Sequence, residues 1–175
     1  MAVGVKESTR LEERFRLWDA NGNGVIERSD FESEADGIIS ALGAQGSSGG
    51  TELKRAYLAM FDHLANAAGT DRMDKAKFLQ VAEREIISKG DTGFATVVAP
   101  TIQAIVNVLD TDGDGEVSPS EMTKWFAAIG LDQSAADEAF RQLDADGSGQ
   151  LSVTELVDAV RDYHLGRNDI PLLGA

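Results

Sequence analysis

A twelve-residue pattern occurs three times in the chain and constrains its fold more than any other feature. Each copy has an oxygen-bearing side chain at positions 1, 3 and 5, glycine at position 6, an aliphatic residue at position 8 and a carboxylate at position 12. The copies read DANGNGVIERSD over 19–30, DTDGDGEVSPSE over 110–121 and DADGSGQLSVTE over 144–155. Carboxylates this close together repel one another, so the pattern predicts that a cation lies between them.

The spacing suits Ca²⁺, a hard cation that takes about six to eight oxygen ligands. Glycine at position 6 allows a backbone conformation that a β-carbon would oppose, and position 7 supplies a backbone carbonyl. Acidic turns that merely carry good helix caps are the alternative, and three copies in one register disfavour it. We therefore predict three calcium sites. Their predicted ligands are Asp19, Asn21, Asn23, Val25 and Asp30; Asp110, Asp112, Asp114, Glu116 and Glu121; and Asp144, Asp146, Ser148, Gln150 and Glu155.

These three copies are called the first, third and fourth loops, because an incomplete second loop lies between Leu64 and Phe78. Met73 stands in the place of the position-8 residue, but the segment has 13 residues instead of 12. Three alanines within 65–68 fall where ligands belong, and Lys77 replaces the closing carboxylate. We predict that this loop preserves the fold and binds no calcium; a weak, irregular site is the minor alternative.

Apolar residues at helical spacing flank each loop and predict eight helices. Loops of this kind pair through short strands at position 8. We therefore expect an all-α protein with four hands, each hand being one loop with its two flanking helices. The hands should form two paired lobes packed into one compact globule, with short β pairing between loops. The expected N-terminal pair spans 1–89 and the C-terminal pair 90–175.

Three further segments carry structural predictions. The glycine-rich stretch 43–50 is expected to be a flexible connector, and Gly90–Gly93 the junction between the lobes. Pro100 should kink the helix that enters the third loop or mark the start of a helix. Aromatic residues such as Trp18 and Trp125 are expected in the core.

Composition limits the classes of partner. The chain carries 16 Lys and Arg against 30 Asp and Glu, so its formal net charge is −14, which disfavours nucleic acid and anionic membranes. It has no cysteine, which excludes disulfides and thiolate metal sites. The first residues lack the apolar core of a secretory signal, and no apolar run is long enough to span a membrane. We expect a cytoplasmic monomer.

The four hands, with an incomplete second loop, resemble the sarcoplasmic calcium-binding proteins of the EF-hand superfamily, and within them the calerythrin-like prokaryotic members. The likeness includes RLEERFRLWDANGNG over 10–24 and AVRDYHLGRNDIPLLG over 159–174, which are less generic than the loops. This resemblance implies a compact globule of two packed lobes. It also implies calcium buffering or transport rather than catalysis.

The first loop departs from the family pattern, because Asp30 stands where the other two loops have glutamate. Asp is one methylene shorter, so binding through both oxygens requires the loop to contract toward the six-coordinate geometry that Mg²⁺ prefers. Glu27 at position 9 is a candidate for an extra oxygen, directly or through water. Our hypothesis is that the first loop has the weakest Ca²⁺ preference and holds Mg²⁺ at rest. Without ions, the protein is expected to be loose or partly unfolded.

Two functions remain open on the sequence: a buffer, which is favoured, and a sensor that exposes an apolar groove to a target protein. Four methionines, one of them the initiator, argue against a Met-rich groove, and no target is indicated. The apolar tail over 170–175 is interpreted either as a plug for the cleft between the lobes or as a frayed terminus. An enzyme is not expected, since His63 and His164 are interpreted as structural, the latter as a cation at a helix end.

Overall fold

The computed structural model describes residues 5–128 and 130–168, with side chains described from Thr9 onward. The predicted tail over 170–175 lies outside the described residues. Most of the described chain is helical, and the helices flank four loops. The helices are α1 (Val5–Trp18), α2 (Arg28–Ala41), α3 (Ser48–Ala68), α4 (Lys75–Ala82), α5 (Gly90–Val97), α6 (Ala99–Leu109), α7 (Pro119–Ala128), α8 (Gln133–Leu143) and α9 (Val153–His164). A π-helical turn, Glu83–Ile87, continues α4.

Short antiparallel pairing joins the loops two by two, as predicted. Strand β1 (Val25–Ile26) pairs with β2 (Met73–Asp74), with Ile26 opposite Met73. In the other pair, Val117 and Leu151 exchange two backbone hydrogen bonds of 2.8 Å. These position-8 side chains are all fully buried, so the pairing also anchors each loop to the core.

The connector over 43–50 is only partly a loop, so the prediction was wrong at its C-terminal end. Helix α3 begins at Ser48, and the Ser47 hydroxyl caps it by accepting from the Gly50 amide at 3.0 Å. A β-carbon on Gly50 would lie 2.4 Å from the Ala44 carbonyl oxygen. Glycine is therefore required at residue 50 because the backbone before α3 passes close to it, and not because the segment must be flexible.

Residues Gly90–Gly93, the predicted junction between the lobes, form the first turn of α5. The predicted boundary between residues 89 and 90 coincides with the start of that helix. Pro100 lies in the first turn of α6, where its missing amide costs no hydrogen bond. Helices α5 and α6 meet at an angle of 51°, so the predicted break is confirmed.

One hydrophobic core runs through the molecule and includes residues from both halves. Its aromatic centre lies in the first half, where the Trp18 ring is 4.8 Å from Phe31 and 5.8 Å from Phe78. Trp125 is fully buried in the second half, whereas Phe140 packs at the edge of the core. Helix α3 packs against α6, and α1 against α9, which joins the two halves.

Among the described helices, none is by itself long and apolar enough to cross a membrane. Within the described residues, the bent pair α5 and α6 together has the length and composition of a span, and its apolar side chains belong to the core.

Candidate metal centres

The third loop gathers its carboxylates around Asp110, the residue that directly follows α6. Asp110 Oδ1 accepts from the Gly113 and Asp114 amides at 2.9 and 3.2 Å, and Oδ2 accepts from the Gly115 amide at 2.8 Å. The left-handed backbone of Gly115, with φ of 82°, orients that amide. Asp110, Asp112 and Asp114 each offer one oxygen, and the three oxygens lie within 4.8 Å of one another. Three convergent carboxylates form the donor set of a hard divalent cation.

Glu121, in the first turn of α7, closes the third loop from the other end. Its Oε2 accepts from the Thr111 amide at 2.6 Å, and its Oε1 from the Ser118 amide at 3.1 Å. The side chain therefore spans the loop with both oxygens engaged. It is 5% exposed, which shields a ligand at position 12 from water.

The electrostatics of the third loop show the crowding that the sequence predicted. Hydrogen bonds, chiefly from the Gly115 amide, lower the pKa of Asp110. The pKa of Asp112 is raised, although the Asp114 amide opposes this, because the Asp110 carboxyl and the charges of Asp114 and Glu121 lie close by. Mutual repulsion of this kind is relieved when a divalent cation binds.

The fourth loop also brings three carboxylates together, here from positions 1, 3 and 12. Asp144, Asp146 and Glu155 each place an oxygen within 4.8 Å of the other two. Asp144 Oδ2 accepts from the Gly149 amide at 2.9 Å, as Asp110 does from Gly115. The Ser148 hydroxyl donates to the Gln150 carbonyl at 2.9 Å, so positions 5 and 7 lie side by side.

The first loop has the same backbone but a less complete closure. Asp19 accepts from the Asn23 and Gly24 amides at 3.2 and 2.8 Å, and Asn21 Oδ1 accepts from the Asn23 amide at 3.0 Å. Asp30 is buried, and its Oδ2 accepts from the Glu27 amide at 2.8 Å. Among the described residues, Asp30 makes no hydrogen bond to the start of its loop, whereas Glu121 does. This shorter reach is what the sequence predicted for aspartate at position 12.

In the second loop, residues of helix α3 occupy the first positions, where the other loops have ligands. Helix α3 continues to Ala68 and ends at Gly69, whose φ is 71°, so the extra residue is absorbed by the helix. The Arg84 guanidinium donates to the Ala67 carbonyl at 2.5 Å, which satisfies the helix end. The Lys77 amide donates to Asp74 at 2.8 Å, so Asp74 acts as the cap of α4. Asp74 is thus a structural residue in this loop.

Sequence reasoning missed one contact of the second loop. Arg72 forms an ion pair with Glu27, which the sequence had offered as an additional oxygen for the first loop. The signal was present in the register, because residues that follow Ile26 and precede Met73 must face each other.

The prediction that His164 is a cation at the end of a helix is wrong. The ring is buried, and burial together with the nearby Arg14 charge lowers the pKa of His164 to about 3. Its Nδ1 lies 2.9 Å from the Val160 carbonyl oxygen, so the neutral ring donates from Nδ1. The side chain is a neutral core residue of α9.

Polar side chains of α1 and α9 connect the two halves. The Arg10 guanidinium lies 4.0 Å from the centroid of the Tyr163 ring, and the Tyr163 hydroxyl donates to Glu13 at 3.4 Å. Arg14 is buried, with its guanidinium 5.5 Å from the centroid of the Trp18 ring, and burial lowers the pKa of Arg14. Because α1 enters the first loop and α9 leaves the fourth, this contact links the two ends of the molecule.

Helix–loop–helix units that pair through position 8 define a protein of the EF-hand class. The family model described as EF-hand domain matches residues 135–166, and the model described as EF hand matches residues 11–33 and 102–127. These matches cover the fourth, first and third loops.

Relatives extend the likeness to almost the whole chain. Calerythrin from Saccharopolyspora erythraea is 39% identical over 171 residues, which are 95% of this chain and 97% of calerythrin. The luciferin-binding protein of Renilla reniformis is 27% identical over 170 residues, which are 95% of this chain and 90% of that protein. The chain therefore belongs to the calerythrin-like EF-hand calcium-binding proteins.

A solved structure agrees with this assignment. It is that of a Streptomyces coelicolor calcium-binding protein, and it is described as the structural basis for prokaryotic calcium-mediated regulation by that protein. It superposes with a TM-score of 0.75 at 31% identity, covering 91% of this chain and 98% of that one.

Proposed function

We propose that this EF-hand protein is an intracellular calcium buffer or transport protein with three ion-binding loops. The observation that supports the buffer is the burial of the three methionines in the described residues: Met60, Met73 and Met122 are at most 4% exposed. A sensor keeps such flexible side chains for a groove that opens to a target. Here they already pack in the core that joins the two halves.

The three sites are not expected to be equal. The third loop offers four side-chain carboxylates, the fourth offers three, and the first offers Asp19 and Asp30 with neutral Asn21 and Asn23. Affinity in such loops follows ligand charge and rigidity. We propose that the third loop binds Ca²⁺ most tightly and that the first exchanges Ca²⁺ with Mg²⁺.

Calorimetric titration of Ca²⁺ into chelator-stripped protein, with millimolar Mg²⁺ present, tests the proposal. A buffer should bind three equivalents, mostly with dissociation constants below about 10⁻⁷ M. A fourth equivalent would overturn the assignment of the second loop. Binding near 10⁻⁶ M with little competition from Mg²⁺ would favour a sensor.

The sensor is the second candidate, and the Streptomyces coelicolor relative favours it, since that protein is described in terms of calcium-mediated regulation. An open groove of about 580 Å³ lies between α2 and α3, with Ile39 and Leu58 among its lining residues. A dye that binds apolar surface distinguishes the two functions. A sensor binds more dye when Ca²⁺ is added, and a buffer binds less.

The enclosed apolar cavity among the described residues is too small for an organic ligand of the kind for which the Renilla relative is named. The cavity enclosed by Trp18, Phe78, Phe94 and His164 measures about 20 Å³. Sites for small organic ligands measure about 300–1,000 Å³. We propose that the ligands of the protein are Ca²⁺ and, in the first loop, Mg²⁺. We also propose that the protein is a monomer without catalytic activity.

A further inference from the structure

The pairing of the first two loops brings Arg72 next to an ion-binding loop. Ile26 lies opposite Met73 in the antiparallel ribbon, so the next pair outward is Glu27 with Arg72. Directly opposed side chains project from the same face of such a ribbon. The contact between Glu27 and Arg72 is therefore imposed by the register.

Both carboxylate oxygens of Glu27 are engaged. Arg72 Nη1 forms an ion pair with Glu27 Oε1, and Asn23 Nδ2 donates to Glu27 Oε2 at 3.2 Å. The Glu27 side chain is 22% exposed, whereas the Arg72 side chain is 61% exposed and reaches it from the solvent side. Glu27 occupies position 9, from which loops of this class often bind the ion through water. Arg72 therefore competes with the ion for this carboxylate.

The other loop pair has no cation at the equivalent place. With Val117 opposite Leu151, the residue facing position 9 of the third loop is Gln150, and that facing position 9 of the fourth loop is Glu116. A basic residue opposite position 9 thus distinguishes the first loop from the third and fourth.

We propose that Arg72 of the second loop sets the ion preference of the first loop. It holds Glu27 out of the coordination sphere and places a fixed positive charge beside the site, and both effects weaken Ca²⁺ binding. Fewer available oxygens also favour the six-coordinate arrangement of Mg²⁺ over the larger shell of Ca²⁺. The second loop therefore tunes its neighbour. The inference rests on the proposed function, because it requires an ion in the first loop.

Each loop carries its own reporter for a titration. The Gly24, Gly115 and Gly149 amides donate to the position-1 aspartates of their loops at 2.8, 2.8 and 2.9 Å. Their ¹H–¹⁵N cross peaks should respond when that aspartate binds an ion. Ca²⁺ and Mg²⁺ titrations of ¹⁵N-labelled full-length protein therefore follow the three loops separately.

Arg72→Gln should lower the Ca²⁺ midpoint of the Gly24 peak about two- to fivefold, a size typical of an ion pair with one exposed partner. The Mg²⁺ midpoint should change less, and the Gly115 and Gly149 midpoints should not move. Adding Glu27→Gln to Arg72→Gln should remove most of the gain in Ca²⁺ affinity of the first loop. Lys75→Gln is the matched control, since Lys75 is a similarly exposed cation of the same loop that pairs with Glu12 of α1 at 3.1 Å.

The outcomes separate this inference from the proposed function. The inference is overturned if the Gly24 peak responds to Ca²⁺ but Arg72→Gln leaves its midpoint unchanged, or if Lys75→Gln shifts that midpoint equally. The three-loop function stands in either case. If Gly24 responds to neither ion in the unaltered protein, the first site is overturned and the inference with it.

Discussion

At the scale of single residues, position 12 distinguishes the first loop from the other two. Glu121 and Glu155 each accept hydrogen bonds from amides at both ends of their loops, whereas Asp30 accepts from the Glu27 amide alone among the described residues. Asp30→Glu should therefore raise the Ca²⁺ affinity of the first loop relative to Mg²⁺ by about tenfold, because the longer side chain can offer both oxygens. The Gly24 cross peak in paired Ca²⁺ and Mg²⁺ titrations measures this ratio.

The reciprocal change, Glu121→Asp, is the control. It should shift the third loop toward Mg²⁺, as reported by the Gly115 peak. An unchanged Ca²⁺/Mg²⁺ ratio in Asp30→Glu would show that side-chain length at position 12 does not set the selectivity.

His164 also makes a prediction at the residue scale. The pKa of His164 is lowered to about 3 by burial, whereas an unfolded histidine titrates near 6.5. As the pH falls below about 6.5, the unfolded chain takes up a proton that the folded protein refuses, so stability is lost between about pH 6.5 and pH 3. The loss should reach about 2 kcal/mol by pH 5.

Urea denaturation at pH 7 and pH 5, with saturating Ca²⁺, measures this loss. His164→Asn retains a donor for the Val160 carbonyl but cannot titrate, so its stability should fall less over the same interval. Comparing the two proteins cancels the contribution of the carboxylates. Parallel pH dependence in both would contradict the burial of a neutral imidazole.

At the scale of elements, the start of α3 depends on the absence of a side chain at residue 50. Gly50→Ala would place a β-carbon 2.4 Å from the Ala44 carbonyl oxygen, so the turn before α3 must move. We expect a loss of about 2 kcal/mol in the free energy of unfolding. Chemical denaturation of the calcium-loaded protein measures it.

Gly37→Ala is the matched control for this prediction. Gly37 is an exposed residue inside α2 with open space around its Cα, so alanine should stabilise the helix by about 0.5–1 kcal/mol. Equal effects of the two substitutions would show that α3 does not need the close approach.

At the scale of the whole molecule, charge couples folding to the ions. The net charge is −14, and three bound Ca²⁺ reduce it to −8. Removing the ions should loosen the protein, because the carboxylates of the third and fourth loops then repel one another unopposed. Millimolar Ca²⁺ should raise the melting temperature of the stripped protein by on the order of 20 °C or more.

Circular dichroism during heating, with and without chelator, checks this coupling. Potassium chloride at equal ionic strength is the control, since screening alone should recover little of the increase. A stripped protein that melts at the same temperature would mean that the loops are organised without ions.

Prediction from sequence succeeded where the determinants are adjacent in the chain. The ligands of each loop lie within twelve residues, and position 8 fixes the partner, so Asp110, Gly115 and Val117 have the neighbours that the pattern requires. Pro100 marks the start of α6 for a similarly local reason.

Prediction failed where a residue's environment comes from distant parts of the chain. Gly49 and Gly50 suggested a flexible connector, but the packing of α3 makes them helical. His164 suggested a helix-end cation, but its contacts with α1 and α5 bury it.

The sequence by itself determined the class of protein, the loop registers and the candidate ligands, because an ion-binding loop is a local structure whose spacing encodes its geometry. Only the tertiary structure decided the extension of α3 into the second loop, the burial of Arg14 and His164, and the contact of Arg72 with Glu27. These features depend on which helices and strands pack together, and side-chain burial and cross-loop charge pairs exist only after that packing is complete.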